Sequence, residues 1–233
     1  TAVGYQALED NTANDNTAMG YNALVLNTTG VDNNAFGSFS LDANTTGSGN
    51  CGFGFAALSG NTTASNNTGL GHQALLTNTT GTRNTAVGSN ALDANTNAND
   101  NSAFGNHSLS ANTTGVDNNG FGSLSLTANT TGSRNCAFGF QSLTSNTTAD
   151  NNTAVGHQAL YANTTGSQNV AVGTNALDAC TTGSECVAIG DDALGSMTTG
   201  HSNTAVGRHA LLDGTTCTSN TAVGNNCMQN ATT

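Results

Sequence analysis

Charge is scarce in this chain of 233 residues: lysine and arginine together number 3, aspartate and glutamate 14, and the net charge is −11. An ordinary globular domain carries about a quarter charged residues. So few cations argue against nucleic acid or an anionic membrane as partner, because both need clustered Lys and Arg. No apolar run approaches the roughly 20 residues of a helical membrane span, so membrane insertion is not expected. Proline and tryptophan are absent. The chain opens without a Met, a basic segment or an apolar targeting core, so either a leader has been removed or this is a fragment of something longer. Motifs for chemistry are missing as well: there is no GxSxG elbow, Walker loop, HExxH, EF-hand or CxxC. Gly69-Leu70-Gly71-His72-Gln73-Ala74 fits the dinucleotide fingerprint by letter, but Gly52 to Ala57 repeats it with no βαβ unit around either copy. The aspartates, such as Asp32, Asp117 and Asp178, scatter over turns. No catalytic residue, cofactor or metal is expected.

Polarity comes instead from Asn, Thr, Ser and Gly. Disordered linkers share that mix, but they lack a strict hydrophobic period. This chain has one. Taking the glycine of Thr-Ala-Val-Gly as position 0, it recurs at Gly4, Gly20, Gly37, Gly54, Gly71, Gly88, Gly105, Gly122, Gly139, Gly156, Gly173, Gly190, Gly207 and Gly224. Every interval is 17 except the first, which is 16. Position +4 is Leu in every coil from Leu8 to Leu211, with Met228 closing the series. Position −1 is large and apolar (Val3, Met19, Phe36, Phe53, Leu70, Ile189), position −2 is Ala or Gly, and position −4 is Asn except at Cys186. Phe36–Leu75 also closely matches Phe121–Leu160, an offset of 85 residues or five coils, as expected from duplication of a block.

Seventeen residues are too few for a helical-hairpin or leucine-rich repeat, and a glycine in every turn disfavours helix. The expected fold is all-β: a parallel β-solenoid, or β-roll, of fourteen 17-residue coils forming one domain over residues 1–233. Each coil is expected to hold two short strands and two turns, with Leu and Val or Phe stacked inside and Asn passing amide hydrogen bonds along the axis. Asn and Gly suit the corners because both tolerate positive φ. If position −1 faces inward, strand alternation turns the glycine and the small residue at −2 outward. That smooth ribbon would invite lateral packing of another protomer. With no polar cap visible at either end, the alternatives are missing chain or end-to-end stacking into a filament.

Val187-Ala188-Ile189-Gly190, with Ala193, resembles the head repeat of trimeric autotransporter adhesins of the YadA type. Asn152 to Leu160 is similar to repeats in phage and giant-virus fibre proteins and in large surface proteins of environmental bacteria. The resemblance implies a left-handed, often trimeric roll used for adhesion or as a fibre shaft. The Asn-Thr-Thr-Gly segment and the longer coil depart from the autotransporter pattern.

Asn-Thr-Thr begins at Asn27, Asn44, Asn61, Asn78, Asn112, Asn129, Asn146 and Asn163, and further sequons begin at Asn66, Asn106, Asn151 and Asn230. These twelve are candidate glycan acceptors. The competing reading is structural, because the threonines persist where the Asn is replaced by Cys180, Met197 or Gly214. Thr rows raise ice binding as a minor alternative, although neighbouring strand residues point to opposite faces and leave one outward Thr per coil. Six cysteines fit an oxidising compartment. Cys180 and Cys186 are the favoured disulfide pair and Cys217 and Cys227 a second, while Cys51 and Cys136 are expected as buried thiols. His72, His107, His157, His201 and His209 are expected at the surface. These observations point to an extracellular structural filament on a cell or virion surface. Its partners would be copies of itself and surface carbohydrate; the alternative is an adhesin head or receptor-binding fibre segment.

Overall fold

A computed structural model describes residues 1–231. The chain is all-β and forms two compact units, residues 1–117 and residues 118 onward. In the first, β1 (Ala2–Val3), β2 (Thr17–Met19), β3 (Asn34–Phe36), β4 (Cys51–Phe53), β5 (Thr68–Leu70), β6 (Thr85–Val87) and β7 (Ser102–Phe104) pair in parallel in chain order. The second runs through β8 (Asn119–Phe121), β9 (Cys136–Phe138), β10 (Thr153–Val155), β11 (Val170–Val172), β12 (Val187–Ile189), β13 (Thr204–Val206) and β14 (Thr221–Val223) in the same way. Partners lie 17 residues apart, as in Thr153 opposite Val170, so each unit is a parallel β-solenoid of 17-residue coils. Only the first pairing is shorter, Ala2 opposite Ala18. The missing residue falls in the corner between Asn11 and Asn16, which the chain crosses in one step fewer than from Asn27 to Asn33. Asn27 Nδ2 still donates to Asn11 Oδ1 at 2.6 Å, so the corner absorbs the deletion.

Each coil contains one strand of two or three residues rather than two strands. Positions +1 to +6 form a turn in which +2 and +4 take left-handed backbone, for example Gln73 at φ 56° and Leu75 at φ 53°. Two consecutive side chains, +3 and +4, point inside, as Ala74 and Leu75 do, which an extended strand could not arrange. A left-handed non-glycine residue costs about 1–2 kcal/mol. Full burial of a leucine returns about 1.5–3 kcal/mol, and the position +4 leucines from Leu24 to Leu211 are all fully buried. At position 0 the backbone opens further, to φ 139° at Gly139, and a Cβ there would strike the carbonyl oxygen of Gly156 in the next coil. Stacking and dihedral together therefore demand glycine at this position. The buried corner asparagines such as Asn27 and Asn33, by contrast, do not occupy positive φ, whereas the residue just before Asn33 and its equivalents does, as at Asp32 and Asn66.

The strand faces the opposite way from the sequence expectation. Position −2 is inside: Ala18, Ala35, Ala86 and Ala154 are fully buried. Position −1 is outside, with Met19 and Phe53 each 47% exposed and Ile189 40%. The interior width explains the reversal. A Cβ added to Gly52 would meet Ser40 Oγ, with Ala57 O at 3.2 Å and Leu41 Cγ at 3.4 Å. At Gly52 even a methyl would collide with that hydroxyl, and in other coils the space holds the methyl of Ala18, Ala35 or Ala86, so the bulky residue of each strand must point out.

Candidate functional site

Two buried columns of asparagine close the far corner of the coils. In the first, at position +7, each Nδ2 donates both to the previous coil's Oδ1 and to the carbonyl three residues ahead. Asn146 Nδ2 reaches Asn129 Oδ1 at 2.8 Å and Ala149 O at 3.1 Å, and Asn163 Nδ2 reaches Asn146 Oδ1 at 3.0 Å. In the second, at position −4, Oδ1 accepts the next coil's backbone N–H while Nδ2 donates to a carbonyl of that coil, as Asn33 does with Asn50 N at 3.0 Å and Gly47 O at 2.8 Å. A buried amide is costly unless bonded, and here nearly every group is used. The exception is Asn163 Oδ1, which has no partner. Its expected donor would come from position 180, where a cysteine stands.

This arrangement separates the twelve sequons. Asn27, Asn44, Asn61, Asn78, Asn112, Asn129, Asn146 and Asn163 are fully buried. Their corner is not a surface turn, and the expectation of glycan acceptors there is corrected for the folded coil. Asn66, Asn106, Asn151 and Asn230 are exposed, although Thr232 of the last sequon lies outside the described residues. The threonines also differ from expectation. Because the segment is a bend and not a strand, both members of a pair such as Thr28-Thr29 or Thr79-Thr80 are exposed. The first hydroxyl is committed to the next coil, as in Thr147 Oγ1 to Thr164 O at 3.1 Å. The bond persists where the Asn is lost, from Thr181 to Thr198 O and from Thr198 to Thr215 O, both at 3.1 Å.

The outward sheet face in each unit carries two columns, −3 and −1, and no charged side chain. Across β10 to β14 the pairs are Thr153/Val155, Val170/Val172, Val187/Ile189, Thr204/Val206 and Thr221/Val223. Elsewhere the −1 column mixes aliphatic side chains with phenylalanines, Phe36 stacked on Phe53 at 4.7 Å and Phe121 on Phe138 at 4.6 Å between ring centroids. A second ladder beside it runs Tyr5, Tyr21, Phe39, Phe55, His72, at centroid distances of 5.3 to 5.9 Å. The duplicated block repeats its last step as Phe140 on His157, at 5.6 Å.

All six cysteines are free thiols, which corrects both expected disulfides. Cys180 and Cys186 sit inside in place of column asparagines, and their Sγ atoms bond the carbonyls of Gly183 and Gly200, each at 3.7 Å. Burial pushes the Cys180 thiol up to about 12. Cys217 is buried and Cys227 half-buried. Cys51 and Cys136 are not interior thiols but lie half-exposed at the outward −3 position.

Charges sit at corners, and all three arginines pair with aspartates of neighbouring coils: Arg83 with Asp100 at 2.6 Å, Arg134 with Asp150 at 3.8 Å and Arg208 with Asp191 at 3.3 Å. Asp191, Asp192 and His209 form the one group among the described residues able to offer three ligand atoms within 4.8 Å. Arg208 holds Asp191, and His209 Nε2 lies 3.5 Å from Asp192, so cross-coil ion pairing accounts for the cluster. His72, His157 and His201 are exposed and His107 and His209 half-buried. No cleft or cavity opens among the described residues. In comparisons with protein-family models, curated proteins and solved structures, nothing matches the chain.

Proposed function

We propose that the chain is an extracellular structural fibre protein whose rigid solenoid associates with further copies of itself, a mechanical and not a catalytic role. The observation that carries this is the uncharged outward sheet face, an apolar −1 column beside a −3 column of mostly small polar side chains. Seven strands about 4.8 Å apart and three residues of about 3.4 Å each give a strip of roughly 300 Å² per unit. Contiguous exposed apolar areas of a few hundred Å² mark interaction surfaces. One strip is smaller than the ~800 Å² per partner of a standard interface, so the contact is of the weak kind that repetition along a fibre strengthens.

The ring geometry favours a second copy over a sugar as the principal partner. The Tyr5 and Tyr21 planes lie within 10° of each other, and those of Phe36/Phe53 and Phe121/Phe138 within 24° and 3°, so these rings spend their faces on one another and present edges, while Phe39 stands across its neighbours at 69° and 81°. Edges interdigitate with another ridge but offer no platform for a pyranose. The extracellular placement rests on the surface chemistry, in which Asn, Thr and Ser supply the polarity and charge is sparse.

The test is negative-stain electron microscopy and sedimentation of the chain beside Phe138→Asp, a substitution at an outward site 41% exposed. Wild type is expected to form lateral assemblies or filaments. The variant should keep its circular dichroism and remain dispersed. A monodisperse wild type, or a variant that assembles as well as wild type, would sink the proposal.

A further inference from the structure

Asn66 and Asn151 stand apart from every other sequon. They are equivalent positions of the duplicated block, 85 residues apart, and both sit in left-handed corner backbone at φ 61° and 60°. Both side chains are exposed. The middle residue of each sequon, Asn67 or Asn152, is a fully buried member of an amide column, so it pins the corner. The third, Thr68 or Thr153, is half-exposed at the outward −3 position. Asn151 Oδ1 accepts from Arg134 Nε at 2.8 Å, which leaves its Nδ2 turned away. Among the described residues neither Nδ2 donates to a protein acceptor.

The Asn-Thr-Thr asparagines are the opposite case. Both Nδ2 hydrogens of Asn44 are used, towards Asn27 Oδ1 at 2.7 Å and Gly47 O at 3.0 Å. A bond from Nδ2 to a sugar would remove one of those donors and place a pyranose where the neighbouring coil lies. Asn106 is also disfavoured, since its Nδ2 donates to Ser89 O at 3.3 Å and its sequon hydroxyl, Ser108, is fully buried.

We propose that Asn66 and Asn151 are the N-glycan acceptors of this chain and that the eight Asn-Thr-Thr asparagines and Asn106 stay bare. The inference rests on the extracellular reading above. The donor class is a lipid-pyrophosphate-linked oligosaccharide. The Nδ2–C1 bond forms as the C1–O bond to the pyrophosphate breaks, Nδ2 gives up one proton, and the lipid pyrophosphate leaves.

The experiment is glycopeptide mapping and intact mass of the chain secreted through a glycosylating host, alongside Asn66→Gln and the Asn66→Gln/Asn151→Gln double variant. Of the eleven sequons lying wholly within the described residues, two are expected occupied in wild type, one in the single variant and none in the double, with unchanged circular dichroism. A glycan on Asn106 or on any Asn-Thr-Thr asparagine of the folded protein would overturn the proposal, as would bare Asn66 and Asn151. Electron microscopy of the same preparations keeps the two readings apart. Bare chains that still assemble sink only the glycan assignment, and glycosylated chains that stay dispersed sink only the fibre.

Discussion

Replacing Asn146 by Asp keeps the side chain's shape and reverses half of its hydrogen bonding. Asn146 is fully buried and makes three bonds: Nδ2 donates to Asn129 Oδ1 and Ala149 O, and Oδ1 accepts from Asn163 Nδ2. An aspartate retains the third and loses the first two, leaving two buried acceptors facing a carboxylate. Each orphaned buried group costs about 1–3 kcal/mol, so Asn146→Asp should destabilise by roughly 2–6 kcal/mol at neutral pH. Burial without a cationic partner raises the new carboxyl's folded pKa. Its folded state therefore holds the proton more tightly than the unfolded chain, and the variant's stability is greatest at low pH and lost as pH rises through the folded pKa. Protonated, it also regains one donor. Urea unfolding followed by far-ultraviolet circular dichroism at pH 4 and pH 7.5 measures both effects, with midpoints compared because solenoid repeats need not unfold as one step. A variant within ~0.5 kcal/mol of wild type at pH 7.5, or a difference independent of pH, would refute the amide column as a stabilising element.

Two further outcomes follow from titratable groups placed against the core. Asp42 is half-buried, desolvation holds its carboxyl above the usual range, and its Oδ1 has no partner. The folded state therefore favours the neutral acid, and stability falls as pH rises through that raised pKa. Asp42→Asn should raise the melting temperature at pH 7 and lose that advantage towards pH 3; an unchanged melting temperature at both would contradict the assignment. The thiols divide by burial: maleimide should label Cys51, Cys136 and Cys227 of the native chain and spare Cys180, Cys186 and Cys217 until denaturant is added. A native mass 2 Da or 4 Da below the fully reduced value, the signature of disulfides, would overturn the free-thiol arrangement.

The period, the leucine column and the stacked amides are legible in the sequence because each repeats in one register through coil after coil. What alternation alone leaves open is which side of the strand is the inside. Residues at −2 and −1 are both apolar, and parity separates them without saying which is buried. The answer lies in the interior width set by the leucine across the coil, visible only once Gly52 and Leu41 are placed. The turn that replaces the expected second strand was unreadable for a related reason, since nothing in a glutamine at +2 or a leucine at +4 marks left-handed backbone. The burial of Asn27 and its equivalents did leave a trace. The residues that replace that asparagine include Cys180 and Met197, and Cys186 replaces one in the other column; apolar replacements are what an interior position accepts.

The uniform hand-over between coils has a consequence for how such a chain can change length. Each coil presents its successor with the same set of strand groups, amide donors and threonine hydroxyls, so excising or inserting whole multiples of 17 residues joins like to like and leaves every column continuous. The corner between Asn11 and Asn16 shows that a single-residue error can be absorbed there. Slippage or unequal exchange between similar coding repeats would therefore yield longer or shorter solenoids that still fold, and a duplication of five coils would leave the 85-residue offset. Solenoid length is open to change by recombination, while the cross-section is fixed by packing.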